Sequence, residues 1–192
     1  MNVFSVNGQN AEEQTEVIKN FQIEQNDFFK AKKTSPLTRK ERKKFQAHAY
    51  YPIDLDYVVE AKFVRIMKED TVKLSSSAGK IKLYRPFAKV YFTIQNKECE
   101  LTVYQSFRYR EIEEYKNYIF LPFRDANSGV TSYGGGKYLD LEIPKSNTII
   151  LNFNLAYNPY CAYTKGYNCT IPPKENTLKI AVNAGMKTPK GH

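Results

Sequence analysis

The stretch VYFTIQNKECELTV, Val90 to Val103, decides how the rest of the chain is read. Val90, Phe92 and Ile94 alternate with Tyr91 and Thr93, and Leu101 and Val103 alternate with Glu100 and Thr102. A period of two puts the apolar members on one face of a strand. The polar Gln95-Asn96-Lys97-Glu98 between the runs predicts a turn, so the whole stretch reads as a β-hairpin. Similar short runs occur at Tyr57 to Phe63, Thr71 to Leu74, Lys80 to Tyr84, Tyr118 to Phe123, Lys137 to Ile143, Thr148 to Phe153 and Leu178 to Val182. With the two hairpin arms these make nine candidate strands. Fifteen Tyr and twelve Phe with no Trp fit such a β-rich chain.

The period is different ahead of residue 50. Val17, Ile18, Phe21, Phe28 and Phe29 fall at helical spacings and predict an amphipathic helix over Ala11 to Lys33. Thr38 and Glu41 have capping-box spacing ahead of a second helix, expected from Arg39 to His48 and ended by Tyr50-Tyr51-Pro52. The predicted fold is therefore mainly β, in the α+β sense. It is an antiparallel β-sandwich or barrel of about nine strands (residues 51–192) with an N-terminal helical arm (residues 1–50), together one structural unit.

With 192 residues, 42% of them hydrophobic, the chain has enough apolar material for a core and is no disordered polyelectrolyte. No run approaches the roughly 18 apolar residues of a membrane span, and the segment after Met1 has no secretory-leader pattern. This reads as a soluble, cytoplasmic protein, or an extracytoplasmic one if a leader was removed ahead of Met1. The excess of 29 basic over 20 acidic residues concentrates in Lys30 to Lys44, which holds eight cations and one acid. Such a run could meet phosphates, but alternation with Leu37 and Phe45 fits a solvated helix face better, so nucleic acid is not the expected partner.

The densest group of unusual residues is FRDANSGVTSYGGGKYLDL, Phe123 to Leu141. Gly134, Gly135 and Gly136 permit close backbone approach or an anion-binding nest, and Arg124 and Lys137 add charge. The same residues also suit a tight turn fastened by Arg124 and Asp125. A phosphate loop is excluded, because the Gly-x-x-x-x-Gly-Lys order is absent and a strand follows. Period-two geometry puts Leu139, Leu141 and Ile143 on the core face, with Tyr138, Asp140 and Glu142 opposite.

The next block, NFNLAYNPYCAY, Asn152 to Tyr163, opens a polar stretch too long for a featureless connection. Cys161 and Cys169, eight positions apart, suit a loop-closing disulfide or two packed thiols. No metal site is expected, since there is no second cysteine pair and both histidines are remote. No cofactor motif is present either.

Four blocks in order, SPLTRKERKKF, FRDANSGVTSYGGGKYLDL, NFNLAYNPYCAY and CTIPPKENTLKIAVNAGMK, together resemble the bacterial domain-of-unknown-function family 1684. The resemblance implies that the blocks belong together, and it supplies no reaction. Against that family's pattern, Lys137 stands where Arg is usual, Asn152 where Asp is usual, Leu155 where Arg is usual and Met186 where an acid is usual.

The leading expectation is a small-molecule pocket, suited to an anionic group, where the glycine block and the Asn/Pro/Tyr loop converge. Arg124 and Lys137 would meet the anion, with Asp125, Ser128, Thr131, Tyr133, Gly134, Gly135, Gly136, Asn154, Tyr157 and Asn158 as hydrogen-bonding or loop-fixing positions. The alternative is a hydrolase using Asp125 or Asp140 as general acid/base. A third reading makes the chain an interaction module acting through the basic arm.

Overall fold

The computed structural model describes residues 8–68 and 70–189. The hairpin anchors it: β3 (Ile81–Ile94) and β4 (Lys97–Ser106) pair antiparallel from Ile94↔Lys97 to Tyr84↔Ser106. The connection is two residues, Gln95 and Asn96, with φ of 52° and 58°. Two consecutive left-handed residues are what a type I′ turn requires, and its twist matches that of the paired strands.

Around the hairpin lie β1 (Val58–Arg65), β2 (Val72–Ser75), β5 (Tyr118–Phe123), β6 (Lys137–Glu142) and β7 (Thr148–Asn152). All pairings are antiparallel, in the order β6-β5-β4-β3-β1-β7, with β2 alongside β3. The sheet curls into a half-barrel around a core that includes Phe63, Val90, Leu101, Ile119, Leu121 and Leu151. After β7 a 3-10 turn at Phe153–Leu155 swings the chain back to β6. There Tyr157 and Tyr138 exchange backbone hydrogen bonds of 2.9 and 3.0 Å, tying the two sheet edges together.

The mainly β architecture is as expected, with seven strands among the described residues in place of nine. Lys80 to Tyr84 and Val90 to Ile94 are halves of one strand. Pro86 lacks the N–H for a regular ladder, and the register shifts there, Pro86 opposite Tyr104 but Ala88 opposite Val103, leaving Phe87 as an extra residue. One extra residue reverses side-chain parity. Tyr84 therefore packs in an outer aromatic cluster, whereas Ala88, Val90, Phe92 and Ile94 face the core. Leu178 to Val182 keeps its alternation, with Leu178, Ile180 and Val182 buried, but joins no ladder. Its backbone instead bonds Arg124 and Ala126.

The neighbouring Asn176 is fully buried where β4 and β5 pair only at Tyr104↔Phe120. Its side chain accepts from Thr102 N–H at 2.9 Å and donates to the Thr102 and Pro122 carbonyls at 2.8 Å each. One amide thus satisfies three backbone groups that the ladder leaves open.

The arm is α1 (Gly8–Lys30) and α2 (Arg39–Lys44), the latter ending four residues before His48. The Thr38/Glu41 capping box forms, and Phe45 is already extended. Phe29 fixes the arm by packing its ring on Phe45, His48, Tyr160 and Tyr163, with centroids 4.3 to 6.0 Å apart. No helix among the described residues is long and apolar enough to cross a membrane.

Candidate functional site

Lys137 opens β6 on the parity of Leu139 and is drawn inside with it, its side chain 1% exposed. Its ammonium lies 3.2 Å from Asp125 Oδ2, whose side chain is 0% exposed, and donates to the Val182 and Ala184 carbonyls at 3.3 and 3.1 Å. Burial pushes the Lys137 pKa down, and the facing carboxylate opposes that push. Asp125 Oδ1 accepts from Asn127 N–H at 2.9 Å, Ser128 Oγ at 3.3 Å and Ser132 Oγ at 3.4 Å. The pair expected to face a ligand is a buried knot holding the glycine block to the C-terminal segment. Lys137 and Asp125 thus face each other inside the fold and open onto no cleft.

The rest of the block is similarly engaged. Arg124 donates to the Gly134 carbonyl at 3.2 Å and the Pro172 carbonyl at 3.3 Å. Thr131 Oγ1 is 2.5 Å from Tyr51 Oη, and the Tyr133 ring packs beside Gly135. Of Gly134, Gly135 and Gly136 only Gly136 has positive φ, +88°. A Cβ there would lie 2.6 Å from the Phe123 carbonyl oxygen, so close approach within the fold, rather than to a ligand, explains this glycine.

In the Asn/Pro/Tyr loop, Asn154 bonds both backbone groups of Asp54, and Asn158 donates to Tyr163 Oη at 3.2 Å and the Lys187 carbonyl at 2.8 Å. Met186, in the position where the resembled family has an acid, is 1% exposed. Its sulfur accepts from Asn158 N–H at 3.4 Å and Tyr163 O–H at 3.3 Å, contacts that suit an acceptor. Asn152 caps the turn after β7 by accepting from Asn154 N–H.

The two blocks do converge, through the Tyr138–Tyr157 bridge, and on the outer face of the sheet this junction borders a cleft of about 240 Å³. Outward residues of four adjacent strands contribute to its surroundings: Tyr84 from β3, Tyr104 from β4, Tyr118 and Phe120 from β5, and Tyr138 from β6. The loop after β7 adds Tyr157, Tyr160 and Tyr167 as a wall, closed by the Cys161–Cys169 disulfide, and the loop after β4 adds Tyr109. Beside the cleft, Asp140 Oδ1 accepts from Tyr118 O–H at 2.6 Å and Tyr157 O–H at 2.9 Å, and the Tyr157 hydroxyl also lies 2.9 Å from Oδ2.

Desolvation by the surrounding rings raises the Asp140 pKa, and the phenol hydrogen bonds oppose it. Burial, reinforced by the Asp140 charge, raises Tyr118 and Tyr157, which keeps both phenols protonated as donors. At the β3 end Lys82 also borders the cleft, its pKa lowered by desolvation and by Arg108. Among the described residues no group of three His, Cys, Asp or Glu side chains is placed to hold a metal ion.

Of the residues singled out in sequence, Tyr157 lines the cleft and Asp140 lies beside it. Arg124, Asp125, Ser128, Thr131, Lys137, Asn154 and Asn158 form internal bonds. Tyr84, Tyr109, Tyr118, Phe120, Tyr138, Tyr160 and Tyr167 were not anticipated as a site. The available signal lay in YIFLPF, where Tyr118 and Phe120 oppose Ile119 and Leu121; aromatic residues on both faces mean that the outer face is covered as well.

Comparison with known proteins bears on the whole framework. No curated protein matches the chain. An uncharacterized protein of Haloarcula marismortui, whose structure was solved in solution by NMR, is 31% identical, with a TM-score of 0.73 over 96% of this chain and 99% of that one. The family model described as "Protein of unknown function (DUF1684)" matches residues 43–187, taking in three of the four blocks whole and the end of the first. With the match spanning the half-barrel, the buried Asp125–Lys137 knot and the tyrosine cleft, the chain belongs to the DUF1684 family.

Proposed function

We propose that this protein binds a small molecule in the tyrosine cleft. One observation carries the reading: seven tyrosines and Phe120, from strands and loops, converge on a cleft at the outer face of a sheet whose core is already filled on the other side. Aromatic walls with a few placed polar groups are the usual composition of ligand pockets. Compared with the sequence expectation, the site keeps the junction of the two blocks but uses its outer face, so Tyr138 and Tyr157 replace Arg124 and Lys137 as contacts.

The test is an NMR titration of ¹⁵N-labelled protein with a panel of aromatic and aliphatic fragments. Expected are saturable shifts concentrated on Tyr84, Tyr118, Tyr138 and Tyr157, weakened in Tyr109→Ala, which alters a half-exposed rim residue. Shifts scattered over the surface, or none, would overturn the reading.

A second reading is favoured by one specific feature. Asp140 is solvent-reachable and has a raised pKa, as a general acid/base requires. Ester and glycoside substrates assayed with wild type and Asp140→Asn decide it, and equal rates would remove it.

A further inference from the structure

We infer that the cleft's ligand is an organic cation, an alkyl- or arylammonium group seated on the tyrosine rings with its charge toward Asp140. This rests on the small-molecule reading above and adds the ligand's chemical class. Of the seven tyrosines at the cleft, five spend their O–H inside the protein. Tyr84 bonds Thr170 Oγ1 at 3.0 Å, Tyr138 the Thr170 carbonyl, Tyr167 the Pro36 carbonyl at 3.1 Å, and Tyr118 and Tyr157 bond Asp140. A phenol tied in this way offers a visiting molecule its ring rather than a donor. Sugars and phosphates need convergent donors, which these five rings no longer supply.

A ring face does attract positive charge, because the aromatic quadrupole is negative there, and a cage of several rings is the known way to hold a quaternary ammonium. Asp140 adds a carboxyl group held by both phenols at the cleft edge. Its Oδ2 receives a single phenol contact, which leaves acceptor capacity for a ligand N–H or for a cation held at close range. Glu142 lies two residues along β6 on the same outward face and is exposed.

The opposing charges are at the other end. Lys82, with Arg108 near it, is on β3, and Asp140 is on β6. Three strand spacings separate β3 from β6, about 14 Å. That distance weakens the repulsion at Asp140 and makes the β6 end the preferred seat for a positive group.

The experiment uses three probes on the full chain, followed by the same NMR shifts: choline, its uncharged isostere 3,3-dimethylbutan-1-ol, and benzoate. Choline is expected to bind about tenfold more tightly than the neutral isostere. Asp140→Asn, close in shape and still an acceptor for the phenols, should remove most of that ratio while leaving the alcohol's affinity unchanged. Tyr109→Ala should weaken choline without altering the fold. Equal binding of choline and the alcohol, or tighter binding of benzoate, would overturn the cation assignment and leave the cleft reading intact. No shift at cleft residues with any probe would overturn both.

Discussion

Lys137 and Asp125 are fully buried in contact, and the energetics of such a pair are asymmetric. Two charges removed from water incur a large desolvation cost that their attraction roughly offsets, whereas removing one partner leaves the other uncompensated. Lys137→Met is therefore expected to cost about 3–5 kcal/mol, measured by urea unfolding. The double variant Lys137→Met/Asp125→Asn should recover much of that loss. A single variant as stable as wild type would show that the knot contributes nothing. Lys137 was legible as buried from the period that places Leu139 inside. Its charge drew attention outward instead, because sequence alone does not reveal the carboxylate waiting in the core. Met186 raises a similar point: its two hydrogen-bond donors, Asn158 and Tyr163, are reached only through the fold.

At the scale of elements, the hairpin was readable because alternation and a polar gap are local signals. The expected Gln95 to Glu98 turn contracts to Gln95 and Asn96, both left-handed. Glutamine has little tolerance for that region, and Asn-Gly is the preferred type I′ pair. Gln95→Asn with Asn96→Gly is expected to raise unfolding free energy by about 1 kcal/mol with unchanged denaturant slope. A lower midpoint would contradict the turn assignment. The strand count was less readable. Two expected strands are halves of one, because the bulge at Phe87 accommodates Pro86 and sends Tyr84 to the face opposite Val90. The extended Leu178 to Val182 shows the converse, since alternation reports a buried face and says nothing about a ladder partner.

At the scale of the whole molecule, arm and half-barrel meet at His48. Its N–H donates to Asn26 Oδ1 at 2.8 Å, Nδ1 lies 2.8 Å from Tyr163 Oη, and the ring packs on Phe29 and Phe45. Burial lowers its pKa to about 4, against a weaker opposing effect from the Gln25 backbone. The unfolded chain, with an ordinary histidine near 6.5, therefore binds the proton first as pH falls. This contribution is fully present above about pH 6.5 and is lost between there and about pH 4, amounting to about 3 kcal/mol. Thermal unfolding across that window should show His48→Phe with a shallower loss than wild type; parallel curves would refute the coupling. The net charge of +9 also resolves at this scale: the eight cations of Lys30 to Lys44 lie on the arm, whereas Lys82 lines the cleft and Asp140 lies beside it.

The sequence by itself determined the hairpin, the helical arm with its capping box, the mainly β class and the family, because each is written in short-range period or in ordered blocks. Only the tertiary structure decided which polar groups are spent and which remain available. It placed Lys137 against Asp125, Asn176 between β4 and β5, and tyrosines from distant strands and loops around one cleft. Those outcomes depend on long-range pairing and on the parity reversal at Phe87, and a one-residue change in register moves every later side chain on that strand to the other face.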